Sequence, residues 1–165
     1  MIDERRRDIR FPVMHNVGEP IVLKITNNHK NLTIPGFILN LSCGGMKIVT
    51  LGSQAAQLHC GIHFVLNLKL PNLNSQNMEG KIVRIEKGDK AKLHHSEDEW
   101  FLGLQFTKIK AHDAHLINRM AEDWGICEAK LEMGLPDVCF RECAYWPLCE
   151  KNVKLKEQHR PKKNG

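Results

Sequence analysis

Aromatic residues are scarce in this chain, with one Tyr, three Trp and six Phe among 165 residues. So few rings leave no stacking platform for single-stranded nucleic acid. Apolar runs of the length needed to span a bilayer are also missing. The first residues, Met1-Ile2-Asp3-Glu4-Arg5, carry charge but lack the apolar stretch of a secretory signal, so a cytoplasmic protein is expected. There is no phosphate-binding P-loop, no Ser/His/Asp order and no paired-carboxylate motif, which leaves catalysis without support. Cationic excess is confined to one place. The net charge of +5 resides in residues 151–165, which hold six Lys/Arg and one Glu, while residues 1–150 carry 18 charges of each sign. A short Lys-rich terminus is ordinarily solvated, so nucleic acid is not the expected partner.

What the chain does have is alternation. Residues 21–26, 32–41, 46–51, 63–70, 81–85 and 100–107 each alternate apolar and polar positions or run apolar, and turn signals separate them. Five or six short strands of this kind make an all-β barrel or sandwich. Residues 52–61, with Ala55, Ala56 and Leu58, permit a short helical turn. One convincing helix follows at 113–125, with Leu116, Ile117, Met120, Ala121 and Trp124 on one stripe and Gly125 as its expected stop. That stripe reads as a face packed on the strands. His112 and His115 stand three apart near its start, but no matching carboxylates accompany them, and they read as surface histidines.

Two polar features interrupt this pattern. The first is the turn Asn40-Leu41-Ser42-Cys43-Gly44-Gly45 between two strands. Asn40 and Ser42, two apart in an extended strand end, point the same way. Gly44 and Gly45 are expected to allow positive φ and close approach of a ligand. An amide, a hydroxyl and bare backbone suit a flat polar ligand such as a nucleobase, though the same residues also make an ordinary hairpin turn. The second is Arg5-Arg6-Arg7-Asp8-Ile9-Arg10, four guanidiniums in six positions of an N-terminal arm. Guanidinium suits bidentate contact with phosphate and with the acceptor edge of guanine.

Arg6-x3-Arg10 followed by Asn40-x-Ser42-x2-Gly45 resembles the PilZ domain family, whose signature is RxxxR ahead of a (D/N)xSxxG turn. The ending Gly103-Leu104-Gln105-Phe106 resembles the last strand of the same family. The resemblance implies a six-stranded antiparallel β-barrel followed by one packing helix, over residues 1–125, with a ligand-gripping arm at 1–19, a barrel at 20–108 and the helix at 111–125. It implies a cyclic di-GMP receptor that changes conformation to signal to a protein partner. Arg6 and Arg10 would grip phosphate and guanine, Asn40, Ser42 and Gly45 would line the other side, and Arg5 and Arg7 are adjacent candidates.

Residues 126–165 lie outside the resemblance and form a Cys-rich extension with a basic tail. Four of the six cysteines, Cys127, Cys139, Cys143 and Cys149, fall within 23 residues. Four thiolates suit tetrahedral zinc or an iron–sulfur cluster, with His159 able to replace one ligand. Reduced core thiols and disulfides are the other readings. The segment has too little apolar content for its own core, so a metal staple is expected. Cys43 reads as a small buried or half-buried thiol, and Cys60 lies elsewhere in the β region. The competing functions are a protein-interaction module on a non-binding barrel, and a zinc-dependent nucleic-acid-binding protein using the basic tail.

Overall fold

A computed structural model describes residues 8–13, 20–27, 30–89, 98–136, 138–140 and 142–149. Seven strands appear in chain order: β1 (Phe11–Pro12), β2 (Ile21–Asn27), β3 (Lys30–Ser42), β4 (Gly45–Leu51), β5 (His63–Leu70), β6 (Leu73–Lys87) and β7 (Glu99–Lys108). Neighbouring strands pair antiparallel in the order β1-β3-β2-β5-β6-β7-β4, and a further β3–β4 pairing closes the last six into a barrel. Short β1 lies outside the closed ring, against the end of β3. All six expected strands are present. β6 is longer than the sequence pattern suggests, because it starts at Leu73 directly after Pro71-Asn72. A 3-10 turn at Ser53–Gln57 fills the connection where a short helical turn was expected.

Alternation fills the barrel. Leu23, Ile25, Ile34, Leu41, Met46, Ile48, Leu66, Leu68, Met78, Ile82, Leu102 and Leu104 are buried inside. Their inward positions follow the two-residue period of the strands. Helix α1 (Ala111–Glu132) packs on β1, β3 and β6 through buried Ile117, Met120 and Ala121, with Leu116 and Trp124 partly buried beside them. Its start is latched by Ser75 Oγ, which donates to Asp113 Oδ2 at 2.6 Å in a buried contact.

The helix does not stop at Gly125. A Cβ at Gly125 would meet nothing within 4 Å, so this partly buried glycine is passed over as an ordinary, if weak, helical residue. The helix ends two turns later at a left-handed Gly134 (φ 66°). There Leu135 N–H donates to the Lys130 carbonyl and Gly134 N–H to that of Leu131, the paired bonds of a Schellman cap.

The Cys-rich segment is corrected more fully. Among the described residues no three His, Cys, Asp or Glu side chains converge to hold a metal, and the expected site of Cys127, Cys139, Cys143 and Cys149 finds no support there. His159 and residues 151–165 lie outside the described residues. The staple is apolar instead. Tyr145 and Leu148 are buried in the barrel's own core cluster, and Asp123 Oδ2 accepts the Ala144 N–H at 2.6 Å. A segment with too little apolar content for a separate core has borrowed one. Burial, the largest influence, pushes the Cys143 thiol up to about 11, keeping it protonated.

Candidate functional site

The site begins with two irregularities in strand register. In the β3–β4 pairing, Ile38 faces Ile48 but Asn40 faces Lys47, so Leu39 is an extra residue. In the β6–β7 pairing, Ile82 faces Leu104 but Arg84 faces Gly103, so Val83 is extra. A bulge of this kind turns the following side chain to the other face of the sheet. Ile38 and Ile82 stay buried in the core, while Asn40 and Arg84, two residues on in each strand, face outward. The result is one continuous row across five strands on the outer wall: Arg84, Gly103, Lys47, Asn40 and Pro12.

This row floors a cavity of about 300 Å³ lined by Arg10, Asn40, Lys47, Arg84, Glu86, Phe101 and Gly103. Among the described residues three cationic side chains face one carboxylate. Gly103 matters by what it lacks, since a Cβ there would stand 2.9 Å from the Arg84 Cβ, in the middle of the floor. Lys47 Nζ lies 5.0 Å from the centre of the Phe101 ring, a cation–π contact that holds the ammonium over the wall. Arg84 pairs with Glu86 two residues along the same strand face. Among the described residues the buried Asn40 Oδ1 atom has no hydrogen-bond partner. An orphaned acceptor costs about 1–3 kcal/mol, and a ligand N–H would relieve it.

The described part of the arm, residues 8–13, lies over this hairpin. Phe11 and Pro12 pair with Leu41 and Asn40, and Val13 N–H donates to the Leu39 carbonyl at 3.0 Å. Farther toward the N-terminus, the Asp8 carboxylate sits against Gly44, where any Cβ would collide with it. The Cys43 thiol is raised by burial first, and then by the charge of Asp8 and its hydrogen bond to that carboxylate. Cys43 is therefore a half-buried anchor for the arm. Arg10, between these two attachments, is exposed at the cavity mouth. Arg5, Arg6 and Arg7 lie outside the described residues.

The structure thus brings Arg10 and Asn40 to one cavity, but not Ser42 or Gly45. Ser42 is buried and its Oγ donates to the Gly45 carbonyl at 3.1 Å. Neither Gly44 nor Gly45 has a positive φ. Gly45 is required because a Cβ would strike the Leu104 carbonyl of β7, its neighbour across the β4–β7 pairing. Glycine here permits close approach of another strand, whereas the sequence suggested close approach of a ligand. Lys47, Arg84 and Glu86 were missed. The alternation Ile82-Val83-Arg84 puts Arg84 on the face of Ile82, and only the bulge reverses that.

A second groove of about 300 Å³ lies between β2, β5 and β6, lined by Lys24, Lys69, Asn67, Asn74, Gln76 and Asn77 among others. Among the described residues it holds no arginine and none of the signature residues. One residue of each motif, Arg10 and Asn40, lies at the first cavity.

A family model described as the PilZ domain matches residues 4–123. The chain is similar in structure to the PilZ domain of YcgR from Escherichia coli, solved with c-di-GMP. That similarity has a TM-score of 0.56 and 16% identity, and covers 79% of this chain and 98% of that one. It is also similar to the K. pneumonia MrkH–c-di-GMP complex, with a TM-score of 0.56 and 20% identity, covering 78% of this chain and 56% of that one. MrkH in its apo state gives a TM-score of 0.55 at 20% identity, covering 78% and 53%. The chain therefore spans about half the length of MrkH. No curated protein matches it. Among the described residues no helix is long and apolar enough to cross a membrane.

Proposed function

The chain belongs to the PilZ domain family, and from that premise we propose that it is a receptor for cyclic di-GMP, not an enzyme. The observation that carries this reading is the cavity in which Arg10 of the arm and Asn40 of the turn meet across the β1–β3 pairing. Cyclic di-GMP presents two phosphates and two guanines. Arg10, with Arg6, serves phosphate and the acceptor edge of guanine, Lys47 and Arg84 add positive charge, and Asn40 Oδ1 accepts a base N–H. Arg5 and Arg7 are supporting candidates. Ser42 and Gly45 act by shaping the turn that presents Asn40.

The arm supplies the response. Fixing a residue costs roughly 1–2 kcal/mol, and each charge-assisted hydrogen bond returns about 1.5–3 kcal/mol. Residues 11–13 are docked on the hairpin, so the ligand meets Arg10 on an arm that is already held. A shift of Arg10 on binding changes the surface beside Phe11, on which the C-terminal segment packs through Tyr145. That segment is the route by which binding would reach a protein partner.

Isothermal calorimetry with cyclic di-GMP tests the reading. Micromolar or tighter binding by the chain, lost in Arg10→Ala, supports it. Absence of binding, or equal affinity in Arg10→Ala, contradicts it.

A further inference from the structure

The cavity has a chemical imbalance that its cations do not resolve. Guanine offers acceptors, O6 and N7, on one edge, but its N1–H and N2–H₂ on the other are donors. Arginines and lysines answer only the acceptors and the phosphates, because they have no acceptor of their own. Among the described residues lining the cavity, side-chain oxygen acceptors are carried by two, Asn40 and Glu86. A neutral amide oxygen receives one N–H well. Two adjacent N–H groups are better matched by a carboxylate, with two oxygens in one plane.

Resting on the cyclic di-GMP reading above, we infer that Glu86 reads the N1–H/N2–H₂ edge of one guanine and so sets the base specificity of this site. Three placements support the role. Glu86 stands two residues from Arg84 on the same strand face, so the bulge that turns Arg84 outward carries Glu86 to the cavity with it. Its partner across the β6–β7 pairing is Phe101, the ring under Lys47, so the carboxylate sits at the edge of the wall where a base would lie. Arg84 Nη2 pairs with Glu86 Oε1, which orients the carboxylate without using all of its acceptor sites. Arg84 is then a positioning residue as well as a phosphate contact. A carboxylate in a pocket for a dianion is costly by charge alone, and base reading gives it a purpose.

That cost makes the test a matter of sign. Calorimetry would compare cyclic di-GMP with cyclic di-IMP, in which each guanine lacks its 2-amino group, on the full chain and on Glu86→Ala. If Glu86 reads the base, E86A weakens cyclic di-GMP roughly tenfold, the order of one lost charge-assisted hydrogen bond. The unaltered chain's preference for guanine over hypoxanthine then shrinks in the variant. If Glu86 is only a negative charge near a dianion, E86A tightens both ligands, which overturns the inference. An equal weakening of both ligands also overturns it, since that places Glu86's effect on Arg84. Failure of the unaltered chain to bind cyclic di-GMP at all is a different result, which removes the receptor reading and this inference with it.

Discussion

The hydroxyl of Tyr145 donates to the backbone carbonyl of Pro12 at 2.9 Å, joining the C-terminal segment to the arm across 133 residues of sequence. The same ring meets Phe11 edge to face, with centroids 5.5 Å apart. Pro12 pairs with Asn40, and Arg10 lies two residues before it. A movement of the arm at the cavity is therefore felt at Tyr145 without any intervening element. In Tyr145→Phe the ring contact remains and the hydrogen bond goes. Stability to urea should fall by about 1 kcal/mol, and calorimetry should show cyclic di-GMP affinity lowered severalfold by the looser arm. Unchanged affinity would show that arm and segment are not coupled.

Ser42 and Gly45 should behave as structural residues. Ser42→Ala removes the hydroxyl that donates to the Gly45 carbonyl and should cost about 1 kcal/mol. Gly45→Ala forces a methyl against the Leu104 carbonyl and should cost about 3 kcal/mol or more, since β4 and β7 must separate. Denaturant titration gives both values. Affinity measured on the folded fraction of Ser42→Ala should change less than in Arg10→Ala.

Much of this was legible in the sequence, for reasons that also explain what was not. Strand positions such as Leu66 and Leu68 followed from a two-residue period, and the α1 stripe from a period of 3.6. Asn40 was readable because a polar residue at a strand end stands out. Arg84 and Glu86 were not, because a single inserted residue, Val83, inverts the faces of all that follow it. Gly45 was noticed for the wrong reason, since a glycine facing a strand carbonyl and one facing a ligand leave the same mark in a sequence. The cysteines misled in a similar way. Their clustering suggested thiolates, while Tyr145 and Leu148 between and beside them held the segment in place.

The helix latch gives an independent check on the fold. Ser75 and Asp113 are both buried and joined at 2.6 Å. Asp113→Ala should cost about 2–3 kcal/mol, because it strands the Ser75 hydroxyl and removes a bond to a charged group. The double variant with Ser75→Ala should be less destabilised than the sum of the two singles, as a double-mutant cycle in urea would show.

Cys143 predicts a pH dependence of definite sign. Burial raises its folded value to about 11 from the ordinary 9.0, so the unfolded thiol ionises first. Its contribution to stability is whole below pH 9 and declines as the pH rises from 9 toward 11. Urea midpoints in that window should fall more steeply for the unaltered chain than for Cys143→Ala. Parallel slopes would place the thiol in solvent.

The most direct measurement is a crystal structure of the chain with cyclic di-GMP. The account predicts the ligand on the outer wall of the barrel, with a phosphate on Arg10, a base N–H on Asn40 Oδ1, and a guanine over Gly103 between Arg84 and Lys47. A ligand seated instead in the groove between β2, β5 and β6, beside Lys24 and Asn77, would contradict it.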